Sequence, residues 1–188
     1  VSAVLLLALG GYLAVMAHFR DQSHVSYEDA ITRQVNIAGV GDVLGDAHVD
    51  MYRTVSIIGS LDDAQIKARR EAMPKAAGQV AKGVEDNAPA SVRSSPAYQQ
   101  FEQVLAKYTK SADAAIDLST IDPNTGIAAL QTADADFKAV KTSLDELEGL
   151  VRGSADETVS GLEDKALRNS IILALIGVLA GASALVYA

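Results

Sequence analysis

The two ends of this chain carry no Asp, Glu, Lys or Arg. The runs VSAVLLLALGGYLAVMAHF (Val1–Phe19) and NSIILALIGVLAGASALVYA (Asn169–Ala188) enclose all 24 acidic and 16 basic residues, which fall between Arg20 and Arg168. A helix crosses a bilayer core with about 20 predominantly apolar residues, and each run has that length. The pattern predicts a first transmembrane helix over 1–19, a polar domain over 20–168 and a second transmembrane helix over 169–188. For the first run, AVMAH ending at His18 offers a rival reading as a signal-peptide cleavage site. A retained span is the preferred reading, because a helical pattern continues beyond Phe19 with no Pro or Gly break. In the second run, Gly177 and Gly181 form a G-x-x-x-G spacing suited to close transmembrane packing. A chain that stops on such a run reads as one cut before a cytoplasmic signalling region.

The polar middle is acidic, with a formal net charge of -8. Nucleic-acid binding needs a basic stripe, and none is present. The absence of Cys excludes a disulfide framework and a thiolate metal site. No nucleophile–base set, phosphate-binding glycine loop or metal motif occurs, and the G-x-G at Gly39–Gly41 lies inside a helical pattern with no strand before it. The expectation is a non-enzyme without cofactor or metal.

Three clusters of breakers and caps divide the middle: GSLDD at Gly59–Asp63, DNAPASVRSSP at Asp86–Pro96, and STIDPNTG at Ser119–Gly126. In the first, Ser60 or Asp62 is suited to cap a helix; in the third, Asp122 is placed as N-cap before Pro123. Four helical segments result, over 20–59, 62–87, 95–119 and 123–168. Each repeats apolar residues at spacings of three and four. The fourth reads Leu130, Ala133, Phe137, Val140, Leu144, Leu147, Val151; the third reads Tyr98, Phe101, Leu105, Tyr108, Ala112. The second is weaker, with Ile66, Met73, Ala77, Val80 and Val84, and Pro74 should bend it. The first is Leu44, His48, Met51, Val55 and Ile58. The fold class expected is all-α: an antiparallel four-helix bundle whose first and fourth helices continue into the two spans.

The first segment has a second face of small and apolar residues: Ala38, Gly41, Gly45, Val49, Tyr52, Ser56 and Gly59. Each Gly costs a helix up to about 1 kcal/mol, and close approach of another helix is the usual offset. The face is read as a homodimer contact through Gly41, Gly45, Val49, Tyr52 and Ser56; tight packing within one bundle is the alternative.

Two stretches carry a resemblance. AHVDMYRTVS (Ala47–Ser56) is similar to an H-x-x-L-Y-R pattern, with Met51 in place of the usual Leu, and DLSTIDPNTGIAALQTADADF (Asp117–Phe137) resembles a junction before a fourth helix. Together with the span–bundle–span layout, they resemble the four-helix-bundle sensor region of bacterial methyl-accepting chemotaxis receptors. The resemblance implies a homodimeric sensor in the bacterial inner membrane, with its bundle in the periplasm. A small ligand or a ligand-loaded binding protein would act at the distal dimer contact, and a small displacement of the fourth helix would carry the signal inward. Similar heads also sit on histidine kinases and nucleotide cyclases, and a passive membrane-anchored scaffold is a further alternative.

Antiparallel geometry puts Arg53, Arg69, Arg70, Gln131 and Thr132 at one depth below the bundle tip. With Tyr52 they form the candidate ligand site: a guanidinium receives a carboxylate bidentately, and the neutral groups add hydrogen bonds. The alternative is a solvated face with arginines paired to surface acids. His48, on the apolar seam, reads as a hydrogen-bonded core residue, and less readily as a ligand contact or pH-sensitive group. The acid-rich run from Asp134 reads as a solvated face with an Asp134–Lys138 pair.

Overall fold

The chain is all-α, with no strand among the described residues. The computed structural model describes the backbone of residues 2–186 and the side chains of residues 27–157, with a few positions on either side. The order is α1 (Ser2–Ser56), a 3-10 turn (Ile58–Ser60), α2 (Asp63–Asn87), α3 (Ala90–Arg93), α4 (Pro96–Ile121) and α5 (Pro123–Val186). The chain divides into two compact units: residues 32–152, and residues 1–31 with 153–188.

The sequence breaks become caps. Asp62 accepts from the Gln65 backbone at 2.8 Å while Gln65 Oε1 accepts from the Asp62 N–H at 2.9 Å, a reciprocal capping box at the start of α2. Ser95 caps α4 with Pro96 at its first position. Asp122 ends α4 and accepts from Asn124 and Thr125 to start α5. Pro74 does not end α2, which spans it as one helix. Lacking an N–H, it withdraws only one intrahelical donor, that for the Arg70 carbonyl. The break at Asp86–Pro96 is more than a linker, because it contains α3 and buries Ala88 and Val92.

Residues 32–152 share one core. It takes Ile37, Leu44, Met51 and Val55 from α1, Met73, Val80 and Val84 from α2, Phe101, Leu105 and Tyr108 from α4, and Val140, Leu144, Leu147 and Val151 from α5. Burying each large side chain contributes about 1.5–3 kcal/mol, against about 1 kcal/mol for a cap, so the seams dominate stability. The pairings run antiparallel. Asn36 meets Asn87 and Asp50 meets Arg69 between α1 and α2, while Lys107 meets Asp136 and Ser119 meets Gly126 between α4 and α5.

In the terminal unit, Ile171, Ile172 and Leu175 are exposed. Among the described residues no helix is long and apolar enough to cross a membrane. Nearly all of the 1–19 run, and Gly177 and Gly181 in the second run, lie outside the described side chains.

At the turn into α5 the backbones nearly touch. A Cβ on Gly126 would stand 2.3 Å from Ser119 Cβ and 2.6 Å from its Cα, so only glycine fits. Gly149, by contrast, has nothing within 4 Å. Gly126→Ala should therefore cost about 1–3 kcal/mol by overpacking, whereas Gly149→Ala should be neutral or stabilising by up to about 1 kcal/mol. Urea unfolding midpoints of the two variants check this contrast.

Candidate functional site

α1 presents two faces. Its seam is buried, while Val49 (55% exposed), Tyr52 (38% exposed), Ala38 and Ser56 lie open. Val35, also exposed, extends the same face by heptad spacing and was not singled out by sequence. Gly45 has no atom within 4 Å of a would-be Cβ, and Gly41 has only Leu144 at 3.9 Å. Contacts among the described residues therefore do not require these glycines. A groove of about 650 Å³ runs beside them, lined by Ala38, Gly41 and Gly45 of α1 and by Phe137, Lys141 and Leu144 of α5.

The candidate ligand residues do not share one site. Arg53 Nη1 donates to Asp50 Oδ1 at 2.9 Å, and Arg69 Nη1 lies 3.8 Å from Asp50 Oδ2. These two cations from α1 and α2 thus share one carboxylate, beside a groove of about 390 Å³ that includes Asp46, Thr54, Arg69 and Gln79. Arg70 turns away to α4. Its Nε and Nη2 grip Asp113 at 2.7 and 2.9 Å, and its Nη1 meets Asp117. The fork to Asp113 holds its pKa above the usual arginine value. Gln131 and Thr132 are exposed on α5, and no hydrogen bond among the described residues joins them to Arg53. Tyr52 reaches toward Asp134 at 3.5 Å. Equal depth therefore brings together Arg53 and Arg69 and leaves the others on separate faces. Asp50 already stands where an acidic ligand's carboxylate would be received.

A second polar cluster surrounds His48. Its ring stacks on Phe137, with centroids 3.8 Å apart and planes 10° apart, and meets Tyr52 edge-on. Nδ1 lies 3.1 Å from Tyr108 Oη, and Nε2 lies 3.4 Å from Asp134 Oδ1. Asp134 also holds Lys138 at 2.7 Å, the helical pair expected from sequence. A carboxylate only accepts, so the neutral ring carries its proton on Nε2 and accepts the Tyr108 O–H at Nδ1. Burial lowers the His48 pKa, opposed by its hydrogen bond and attraction to Asp134. The Lys138 contact chiefly lowers the Asp134 pKa, and burial lifts the Tyr108 phenol well above its usual range.

Sequence reasoning placed His48 on the seam but not its partners. Tyr108 was legible as core, and Asp134 only as a surface acid. The acid-rich run is not wholly solvated: Asp136 is 5% exposed, with one oxygen on Lys107 at 2.8 Å and the other without a partner among the described residues. Position 136 follows Ala133 by three, so it shares the buried stripe. Among the described residues, no group of three or more His, Cys, Asp or Glu is placed to hold a metal.

The His48–Asp134 attraction has a directional consequence. Asp134→Asn removes the charge that offsets the burial of His48, so the imidazole pKa should fall further below its ordinary value. Histidine-resolved NMR titration of the full chain checks the direction of this shift. Compared with family models, with curated proteins and with solved structures, the chain matches none.

Proposed function

We propose that this chain is the sensor region of a bacterial transmembrane receptor of the chemoreceptor type. Residues 32–152 form an antiparallel four-helix bundle outside the cytoplasm, and α1 and α5 continue from it as two membrane spans. The observation that carries this reading is that both apolar runs belong to helices that also build the core. α1 begins at Ser2 and α5 ends at Val186, whereas α2 and α4 stay within the core unit. Such a layout gives a ligand event in the core a continuous covalent path along α5. The exposed apolar residues Ile171, Ile172 and Leu175 of α5 suit a lipid or helix-packed setting.

The receptor works as a homodimer through α1. Its exposed heptad-spaced face, with glycines that the chain's own packing leaves unused, suits close approach of a second α1. A small ligand, or a binding protein loaded with one, acts at the level of Arg53 and Arg69, where two cations share Asp50. Its binding displaces α5 relative to α1, and the output lies in a cytoplasmic signalling region.

The natural absence of Cys makes the test direct. In bacteria expressing the chain, Val49→Cys should oxidise to a covalent dimer at least about tenfold faster than Gln103→Cys on the exposed side of α4, because a disulfide needs Cα atoms within about 7 Å. The Val49→Cys dimer should also be in the membrane fraction, with its core open to protease from the periplasmic side. Equal rates at the two positions would overturn the α1 dimer, and a chain in the soluble fraction would overturn the receptor.

A further inference from the structure

We propose that His48 is a proton-operated latch between helices: one added proton releases Tyr108 of α4 and tightens the hold of α5 on α1. This goes beyond the receptor reading and concerns residues 32–152 alone, so it stands whether or not the chain spans a membrane.

The geometry is asymmetric in how it treats a positive ring. From α4, Tyr108 presents a hydroxyl 3.1 Å from Nδ1; the residue is 1% exposed, and this is the only hydrogen bond its hydroxyl makes among the described residues. With the ring neutral, that hydroxyl donates to the bare Nδ1. Once Nδ1 carries a proton, two donors face each other. The contact survives only if the hydroxyl turns to accept, which leaves its own hydrogen buried without an acceptor. α4 therefore loses by protonation.

α5 gains by it. Asp134, 3.4 Å from Nε2, already accepts from the neutral ring, and protonation turns that bond into an ion pair. Phe137 offers its ring face at a centroid distance of 3.8 Å, an arrangement that attracts a cation. The opposing charge, Lys138, is itself tied to Asp134 at 2.7 Å. Among the described residues, Asp134 and Lys138, both on α5, are the charged groups that act on the ring; the other titratable groups beside it are Tyr52 on α1 and Tyr108 on α4, and α2 brings none that acts on it.

The effect reaches the exposed face of α1. Tyr52 and His48 both address Oδ1 of Asp134, at 3.5 and 3.4 Å. An imidazolium that closes on Oδ1 draws on the same oxygen that accepts from the Tyr52 hydroxyl, which lies on the face read above as a dimer contact. One proton thus acts on two bonds together, an α1–α4 bond and an α1–α5 bond, through an acceptor that Tyr52 shares.

Burial, the largest influence on the ring, holds its pKa below the ordinary value of 6.5. The folded chain therefore binds this proton less readily than the unfolded chain does. The corresponding stability is complete above about pH 6.5 and is lost as pH falls through the folded pKa.

The test uses the full chain with 15N-labelled histidine, titrated from about pH 8 to about pH 4.5, with His48→Gln identifying the His48 signals among the three histidines. The expected result at high pH is an imidazole protonated on Nε2. Tyr108→Phe should raise the His48 pKa by about half a unit or more, roughly threefold in proton affinity, because the hydrogen bond that favours the neutral ring is gone. Amide exchange, corrected for its intrinsic pH dependence, should accelerate around Tyr108 as His48 titrates and not around Asp134. A high-pH proton on Nδ1 overturns the latch without recourse to any variant. So does an unchanged or lowered pKa in a folded Tyr108→Phe chain, and so does an α4 acceleration that persists in His48→Gln.

Discussion

Residues 32–152 depend on one constraint: four helical stripes, none able to bury itself alone, must close on a single core. An isolated helix of ordinary composition is marginal in water, so α2 and α4 persist because Val80, Val84, Phe101 and Leu105 have somewhere to go. The capping box at Asp62 and the cap at Ser95 set where helices begin. They are too small to decide whether helices form. The near contact of Gly126 with Ser119 belongs to the same closure, because α4 and α5 must turn back on each other before their seams can meet.

α1 carries a tension between its two faces. Its inner face, from Ile37 through Val55, packs like any core stripe. Its outer face keeps Gly45 in open space and leaves Val35 and Val49 in solvent, at a cost in propensity and in exposed apolar area. Among the described residues nothing comes within 4 Å of a Cβ on Gly45, and the proposed contact with a second α1 would offset those costs.

The charged groups divide by environment. Surface pairs such as Lys82–Asp86 and Lys67–Glu71 contribute about 0–1 kcal/mol each. The Arg70–Asp113–Asp117 set ties α2 to α4 through a bidentate fork and has more geometric specificity. His48 differs in kind, because its ring is closed in by Tyr108 and Phe137 while its charge partner Asp134 stays half-exposed. That boundary between a buried ring and a hydrated acid makes its protonation a structural event. Arg53 and Arg69 are accessible cations joined through Asp50, which with Arg69 lines a groove.

The sequence by itself determined the four long helical segments, their seams and the cap at Asp122; it left Ser60 and Asp62 as alternatives and gave neither the Ser95 cap nor α3. Seams and caps are local matters: a spacing of three and four fixes which face is apolar, and a cap needs only neighbours three residues away. The sequence also showed the glycine-rich stripe of α1, while the exposure of Val35, Val49 and Tyr52 on that side came from the tertiary structure. Only the tertiary structure decided which polar groups meet. Arg69 and Arg70 are adjacent in sequence yet point to different helices, because successive positions on a helix diverge by about 100°. Asp134 reached His48 through the rotation of α5 against α1 and α4, which depth along the helices does not specify. Contacts among side chains distant in sequence follow from how the seams interlock, and that is settled when the core closes.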